Sequence, residues 1–336
     1  MPGRVVPTMR AMQITQLTGP ASAMSLVDLP EPDLAVGHSL SPGEGVLIDV
    51  TVAGVSFPEV LQTRGEYQVR PDLPFGPGSE VAGVVRKSSP ASPLKPGQRV
   101  AAFCLLGAFA EVAIAPPHLT YALSDELDDA QGAALILNYH TAHFSLVYRG
   151  GLREGETVLI HGAAGGVGTA SIQVAKGLGA RTIAVVSSDE KEAVARAAGA
   201  DEVVRSDGAW KDEVLALGGV DMVLDPVGGD RFTDSLRSLR ENGRVVVVGF
   251  TGGSIPEVKV NRLLLKNTSV IGAGWGASAL FKADLIASTQ AAIDKLIASG
   301  FVRPLVGAHF PLERAADALE CIDSRSATGK VVLDVA

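Results

Sequence analysis

Residues 157–180 read TVLIHGAAGGVGTASIQVAKGLGA, and this stretch decides the fold. An apolar, β-branched run (157–161) passes straight into a glycine-rich turn, Ala163-Ala164-Gly165-Gly166-Val167-Gly168. The turn is followed by an apolar pattern of helical period over 168–178. Aligned on G-x-G-x-x-G, Ala163 replaces the first glycine, and Gly165 and Gly168 hold the second and third positions. Gly165 lets the backbone approach a pyrophosphate, and Gly168 lets helix and strand pack closely. The helix N-terminus offers unpaired N–H groups along Ala164, Gly165, Gly166, Val167 and Gly168. Glycines serving only a tight turn would fit the spacing too, but strand, turn, helix and following strand are all in place, which points to dinucleotide binding.

The next strand refines the cofactor. A site for NAD places an acid at the end of the second strand, about 20 residues past the motif, to bind the ribose 2′-hydroxyl. That place holds Val186, Ser187 and Ser188, with Lys191 one helical turn further on. Two hydroxyls and a cation suit a 2′-phosphate, so NADPH is favoured over NADH. Asp189 argues the other way, but between two serines and EKEAVARAAG it reads as an N-cap or first-turn acid.

Outward from the turn, the runs 157–161, 181–186, 201–204, 220–225, 244–250 and 268–273 alternate with helical patterns over 168–178, 190–198, 210–217 and 230–240. Continuous apolar strands between helices are what a parallel sheet covered on both faces needs, which predicts a doubly wound α/β domain. Upstream, about 135 residues are punctuated by proline and glycine and carry short β-rich runs at 46–55, 80–85 and 98–103, as in an irregular β-barrel or sandwich. Helices are expected at 282–299 and 312–322 and a last strand at 330–335. That tail is expected to return to the first domain, giving a β domain of residues 1–137 and 275–336 with an α/β domain of 138–274 inserted.

Composition narrows the function. The 336 residues are 46% hydrophobic, 20% charged and 5% aromatic, with a net charge of −8. An acidic surface repels phosphate backbones and anionic lipid, so neither nucleic acid nor membrane is an expected partner. No run approaches the roughly 18 apolar residues of a membrane span. Two cysteines, Cys104 and Cys321, make no disulfide framework or ligand spacing, which suits the reducing cytoplasm. Residues 1–9 have neither signal-peptide nor transit-peptide character, and Met9 is an alternative start.

These residues also carry a family pattern. The run from Gly54 (GVSFPEVLQTRGEYQVRPDLPFGPGSEVAGVV), then ETVLIHGAAGGVGTA, GADEVV, VDMVLDPVGG, NGRVVVVGFTGG and TGKVVLDV resembles the zinc-independent quinone oxidoreductases of the medium-chain dehydrogenase/reductase superfamily. The resemblance implies a GroES-like β domain, an inserted Rossmann domain, NADPH in the cleft between them, and a homodimer through the edge strand of the Rossmann sheet at 268–273. It also places serines, Ser56 and Ser79, where zinc-dependent relatives have Cys and His, and serine is a poor zinc ligand. His140 and His143 share a helical spacing without a third ligand, so no metal is expected.

The carboxyl ends of the strands, where a doubly wound sheet opens, place Val227, Phe250 and Thr251 along the cofactor, Phe250 as a packing residue, and Gly274 and Trp275 beside the nicotinamide, Trp275 also facing substrate. The resemblance assigns further residues, with Thr141 matching a threonine near the cofactor. Lys330 is placed near the ribose or phosphates. Arg205 stands in for a stacking tyrosine that aligns with Ser206. Ser56 replaces a common asparagine beside substrate. Tyr67 matches a tyrosine facing the substrate, and a phenol of pKa about 10 is protonated at neutral pH and can supply a proton. The expected activity is hydride transfer from NADPH to a quinone or an α,β-unsaturated carbonyl. A 2-enoyl thioester reductase and a non-catalytic NADPH-binding protein are the alternatives.

Overall fold

The β-branched runs after residue 157 form one parallel sheet, with elements numbered here within this unit. Its strands are β1 (Thr157–Ile160), β2 (Arg181–Val186), β3 (Glu202–Arg205), β4 (Val220–Asp225), β5 (Leu239–Val247) and β6 (Ser269–Gly272). The structure, a computed structural model, describes residues 7–279 and 282–336; residues 1–6 of the N-terminal segment lie outside the described residues. The strand order is β3-β2-β1-β4-β5-β6, and every neighbouring pair is parallel. The chain therefore runs outward from β1 on one side and then reverses to β4 on the other. A doubly wound sheet opens at that reversal, at the carboxyl ends of the strands. β5 begins five residues before the expected run, with Asn242 at a positive φ and a register shift against β4.

The connecting helices are α1 (Gly166–Gly177), α2 (Asp189–Ala197), α3 (Trp210–Ala216) and α4 (Phe232–Ser238). The apolar faces of α3 and α4 share a core with the sheet made of Leu159, Ile183, Val185, Val214, Val223, Phe232 and Val245. Ser188 starts α2, its Oγ accepting the Lys191 N–H at 3.3 Å, and Asp189, Glu190 and Glu192 fill the first turn where the helix dipole favours acids.

The chain divides into two units, one of Met1–Leu137 with Val306–Ala336 and one of Asn138–Leu305. Residues 275–305, expected to return to the first unit, pack instead with the second. The reason is α5 (Ala283–Ala298), which buries Ile286, Ile293, Leu296 and Ile297. It approaches α1 so closely that a Cβ at Gly177 would lie 2.5 Å from Leu296. Gln173 of α1 also accepts the Arg303 N–H at 2.9 Å and donates to its carbonyl at 2.8 Å.

In the first unit a seven-stranded sheet runs in the order Val306–Pro311, Lys330–Asp334, Val46–Val55, Glu80–Ser88, Arg99–Phe103, Thr120–Ala122, with Val112–Ala115 also paired to Val46–Val55. The tail strand Lys330–Asp334 lies antiparallel to Val46–Val55, Val331 opposite Val55 and Leu333 opposite Ala53. Ile48, Val50, Val81, Val100, Phe109, Leu319 and Leu333 form its core.

Candidate functional site

The structure holds two candidate sites, one in each unit. In the second, Gly162 leaves β1 at φ +59° and Gly165 caps α1 in extended conformation. Gly168 is required by packing, since a Cβ there would lie 2.2 Å from the Gly162 carbonyl oxygen and 2.6 Å from Ala163 Cα. At Gly165, by contrast, a Cβ would meet nothing closer than that same oxygen at 3.5 Å. Gly165 therefore has open space before its backbone, as the approach of a diphosphate requires. A Cβ at Gly166 would meet Asn138 Nδ2 at 2.5 Å, so the helix Ile136–His143, which carries the buried Thr141, abuts the turn. Ala164 and Val167 lie in the turn and at the start of α1.

Two other loops rise at the same end of the sheet. Asp225 closes β4 fully buried, and its Oδ1 accepts the N–H groups of Val227 (2.9 Å) and Gly228 (2.8 Å). The loop after β5 is tied to it: Thr251 N and Oγ1 each donate to the Pro226 carbonyl at 3.1 Å, and Gly252 N donates to that of Val227 at 2.8 Å. Phe250 covers Gly228. Beneath the turn, burial pushes the His161 imidazole down to about 4, against the pull of Asp225, and its Nε2 is 2.8 Å from Ser235 Oγ.

At the end of β2, Lys191 Nζ reaches Ser187 Oγ at 3.4 Å, and Ser188 is occupied as the α2 cap. Arg205 ends β3, and its Nη1 donates to Asp189 Oδ1 at 2.7 Å. Gly274 follows β6, and a Cβ on it would touch nothing within 4 Å. Trp275 is buried at the start of the helix Trp275–Ala279, its indole edge-on to His140 with ring centroids 5.7 Å apart. His140 is likewise buried, 2.8 Å from Gln290 Oε1, and burial takes it down to about 4.

The first unit carries a buried polar cluster. Ser56 caps the short helix Phe57–Gln62, and its N–H donates to Glu59 Oε2 at 3.0 Å. The other oxygen of Glu59 accepts from Ser79 Oγ, so Glu59 ties Ser56 and Ser79 together. Lys330 is 2% exposed, its ammonium donating to Ser56 Oγ at 2.6 Å and forming an ion pair with Glu80. Glu80 Oε2 also accepts the Leu137 N–H at 2.9 Å. Gly54 makes room for this pair, because a Cβ there would lie 2.7 Å from Glu80 Cγ and 2.8 Å from Lys330 Cε. Burial raises Glu59 to about 7 despite Ser79 and Lys330. Tyr67 follows in the next loop, half-buried, its phenol pushed up by burial and then by the charge of Glu59, which keeps it protonated.

Sequence reasoning missed the roles of Glu59, Glu80 and Asn138, and read Asp189 as a helix-start acid without its partner Arg205. A signal existed for Glu59, since Ser56-Phe57-Pro58-Glu59 has capping-box spacing. None existed for Glu80, whose partner Lys330 is 250 residues away.

Comparison with known proteins matches residues 42–125 to the alcohol dehydrogenase GroES-like domain and residues 166–291 to the zinc-binding dehydrogenase domain. The mouse (Mus musculus) quinone oxidoreductase-like protein 2 is 36% identical over 332 residues, 97% of this chain and 92% of that protein. A probable oxidoreductase from Mycobacterium abscessus is 43% identical with a TM-score of 0.87, covering 98% of this chain and all of that one. The quinone oxidoreductase of Thermus thermophilus, whose structure is known alone and with NADPH, is 34% identical with a TM-score of 0.83, covering 97% of this chain and all of that one.

Proposed function

Because the chain belongs to the quinone oxidoreductase family of the medium-chain dehydrogenase/reductase superfamily, we propose that it is a zinc-independent reductase that uses NADPH to reduce a quinone or an α,β-unsaturated carbonyl. The observation that carries this reading is the glycine turn at the sheet's reversal point, open in front of Gly165 and followed by Ser187, Ser188 and Lys191 at the end of β2. Bound NADPH supplies the hydride. The N–H groups of the turn and the start of α1 hold the diphosphate, and Ser187 and Lys191 hold the 2′-phosphate. The Asp225 turn and Thr251, cross-bonded to each other, form a rigid wall beside the turn. Thr141, Val227, Phe250 and Gly274 complete the surroundings of the cofactor.

Zinc independence is supported by a cation already in place. The Lys330 ammonium is bonded to Ser56, and Ser79 is spent on Glu59, so a dication there would face a buried positive charge and two hydroxyl ligands. For an enone, hydride addition leaves an enolate oxygen, and the protonated Tyr67 is the group we assign to protonate it. A quinone draws its protons from water. Ser56 is a second polar group for substrate.

We also propose a homodimer through β6. Among the described residues that edge exposes Val270, and the adjoining helix Asn261–Leu265 projects Leu264 and Leu265, each 78% exposed. An unpaired strand edge flanked by two leucines suits a second copy of itself. The two free cysteines suit the cytoplasm.

The test is NADPH oxidation by purified, chelator-treated protein over quinones, enones and enoyl thioesters. Turnover with a quinone or enone, undiminished by the chelator, is expected. Turnover confined to enoyl thioesters, dependence on added zinc, or no consumption with any acceptor would overturn the reading. Within it, Tyr67→Phe should cost about 10²-fold in kcat with an enone and much less with a quinone.

A further inference from the structure

The end of β2 carries an acid that neither the phosphate turn nor the helix cap requires. Ser188 caps α2, and Glu190 and Glu192 complement its dipole as Asp189 does, so the helix does not depend on Asp189 alone. Its side chain is fully exposed and turns to Arg205 at the end of the neighbouring strand, Nη1 to Oδ1 2.7 Å. Glu192 Oε2 and Asp207 Oδ1 stand 4.0 and 3.9 Å from the same guanidinium. Around the strand ends four carboxylates (Asp189, Glu190, Glu192, Asp207) accompany two cations (Lys191, Arg205). In a doubly wound nucleotide site this is where an acid binds a ribose 2′-hydroxyl or an arginine binds a 2′-phosphate, and here the two are paired with each other.

We propose that Asp189 sets the discrimination between NADPH and NADH by competing with the 2′-phosphate for Arg205. The proposal rests on the NADPH reading above. Without the phosphate, Asp189 neutralises Arg205. A 2′-phosphate displaces it and pairs bidentately with the guanidinium, leaving a carboxylate close to the phosphate dianion, which weakens NADPH. With NADH the phosphate is absent, and Asp189 can accept from the 2′-hydroxyl. Asp189 is thus a specificity-determining residue that holds the preference for NADPH below what Lys191, Arg205 and the serines alone would give.

The test is fluorescence titration of NADPH and NADH, with 2′,5′-ADP and 5′-AMP as probes of the adenosine end, on wild type, Asp189→Asn, Arg205→Gln and the double variant. Asp189→Asn should tighten NADPH and 2′,5′-ADP by about five- to tenfold at low salt, leave NADH and 5′-AMP equal or weaker, and show less gain at high salt. In the Arg205→Gln background the gain should be smaller, because the contested partner is gone. An NADPH-to-NADH ratio moved by less than about twofold in Asp189→Asn would overturn the proposal, as would an equal gain in both backgrounds. Wild-type protein that binds no NADPH would overturn the cofactor reading and this inference together. Wild type that binds NADPH while Asp189→Asn shifts nothing would overturn this inference alone.

Discussion

Replacing Lys330 by methionine should unfold the first unit much more easily than an ordinary lysine substitution would. The pair it breaks is 2% and 1% exposed, and Glu80 would keep only the Leu137 N–H on its other oxygen. Leaving one partner of a buried ion pair uncompensated costs about 3 to 5 kcal/mol. Methionine preserves the stem that runs past Gly54, so lost packing adds little. In Lys330→Met/Glu80→Gln the neutral amide still accepts from Leu137, and the cost should fall to about 1 to 2 kcal/mol. Both tryptophans, Trp210 and Trp275, lie in the second unit, so intrinsic fluorescence would miss the event. Hydrogen exchange in the strands Val46–Val55 and Lys330–Asp334 under a urea series reads it directly. A loss below about 1 kcal/mol in the single variant, or a double variant as unstable as the sum of the two singles, would refute the reasoning.

Gly168→Ala drives a Cβ into backbone at Gly162 and Ala163, and should cost about 1 to 3 kcal/mol in a melt while weakening NADPH more than tenfold by titration. Glu59, raised to about 7 from 4.5 by burial, binds its proton more tightly folded than unfolded, so its contribution to stability declines as pH rises between those values. Unfolding of Glu59→Gln measured across that window should lack the decline. Leu264→Asp with Leu265→Asp should turn a dimer into a monomer by light scattering. Lys191→Ala should weaken NADPH roughly tenfold relative to NADH, read by fluorescence.

The α/β unit was legible because its signals are local. A buried parallel strand must be apolar throughout, and Gly168 is demanded by contacts with Gly162 and Ala163 a few residues away. The segment 275–305 was not legible. The apolar stripe of α5 shows that Ile286, Ile293 and Leu296 are buried without showing against what, and the glycine that receives Leu296 stands more than a hundred residues earlier. The surroundings of Lys330 were hidden for the same reason: only the pairing of Lys330–Asp334 with Val46–Val55 brings Glu80 and Ser56 to it. The edge-on contact of Trp275 with His140, 135 residues apart, was out of reach in the same way.

The strand pairing of Val46–Val55 with Lys330–Asp334 also constrains how the protein emerges from the ribosome. The second unit is one continuous stretch, Asn138–Leu305, whose contacts are all available once that stretch has left the exit tunnel. The first unit, although its residues come out earlier, waits for a strand made last. Until then the end of that strand, residues 52–55, presents an unpaired edge, and Glu80 is held without its cation. Folding order therefore inverts synthesis order: the later-made unit matures first, and the earlier one is left incomplete for the interval a chaperone would guard.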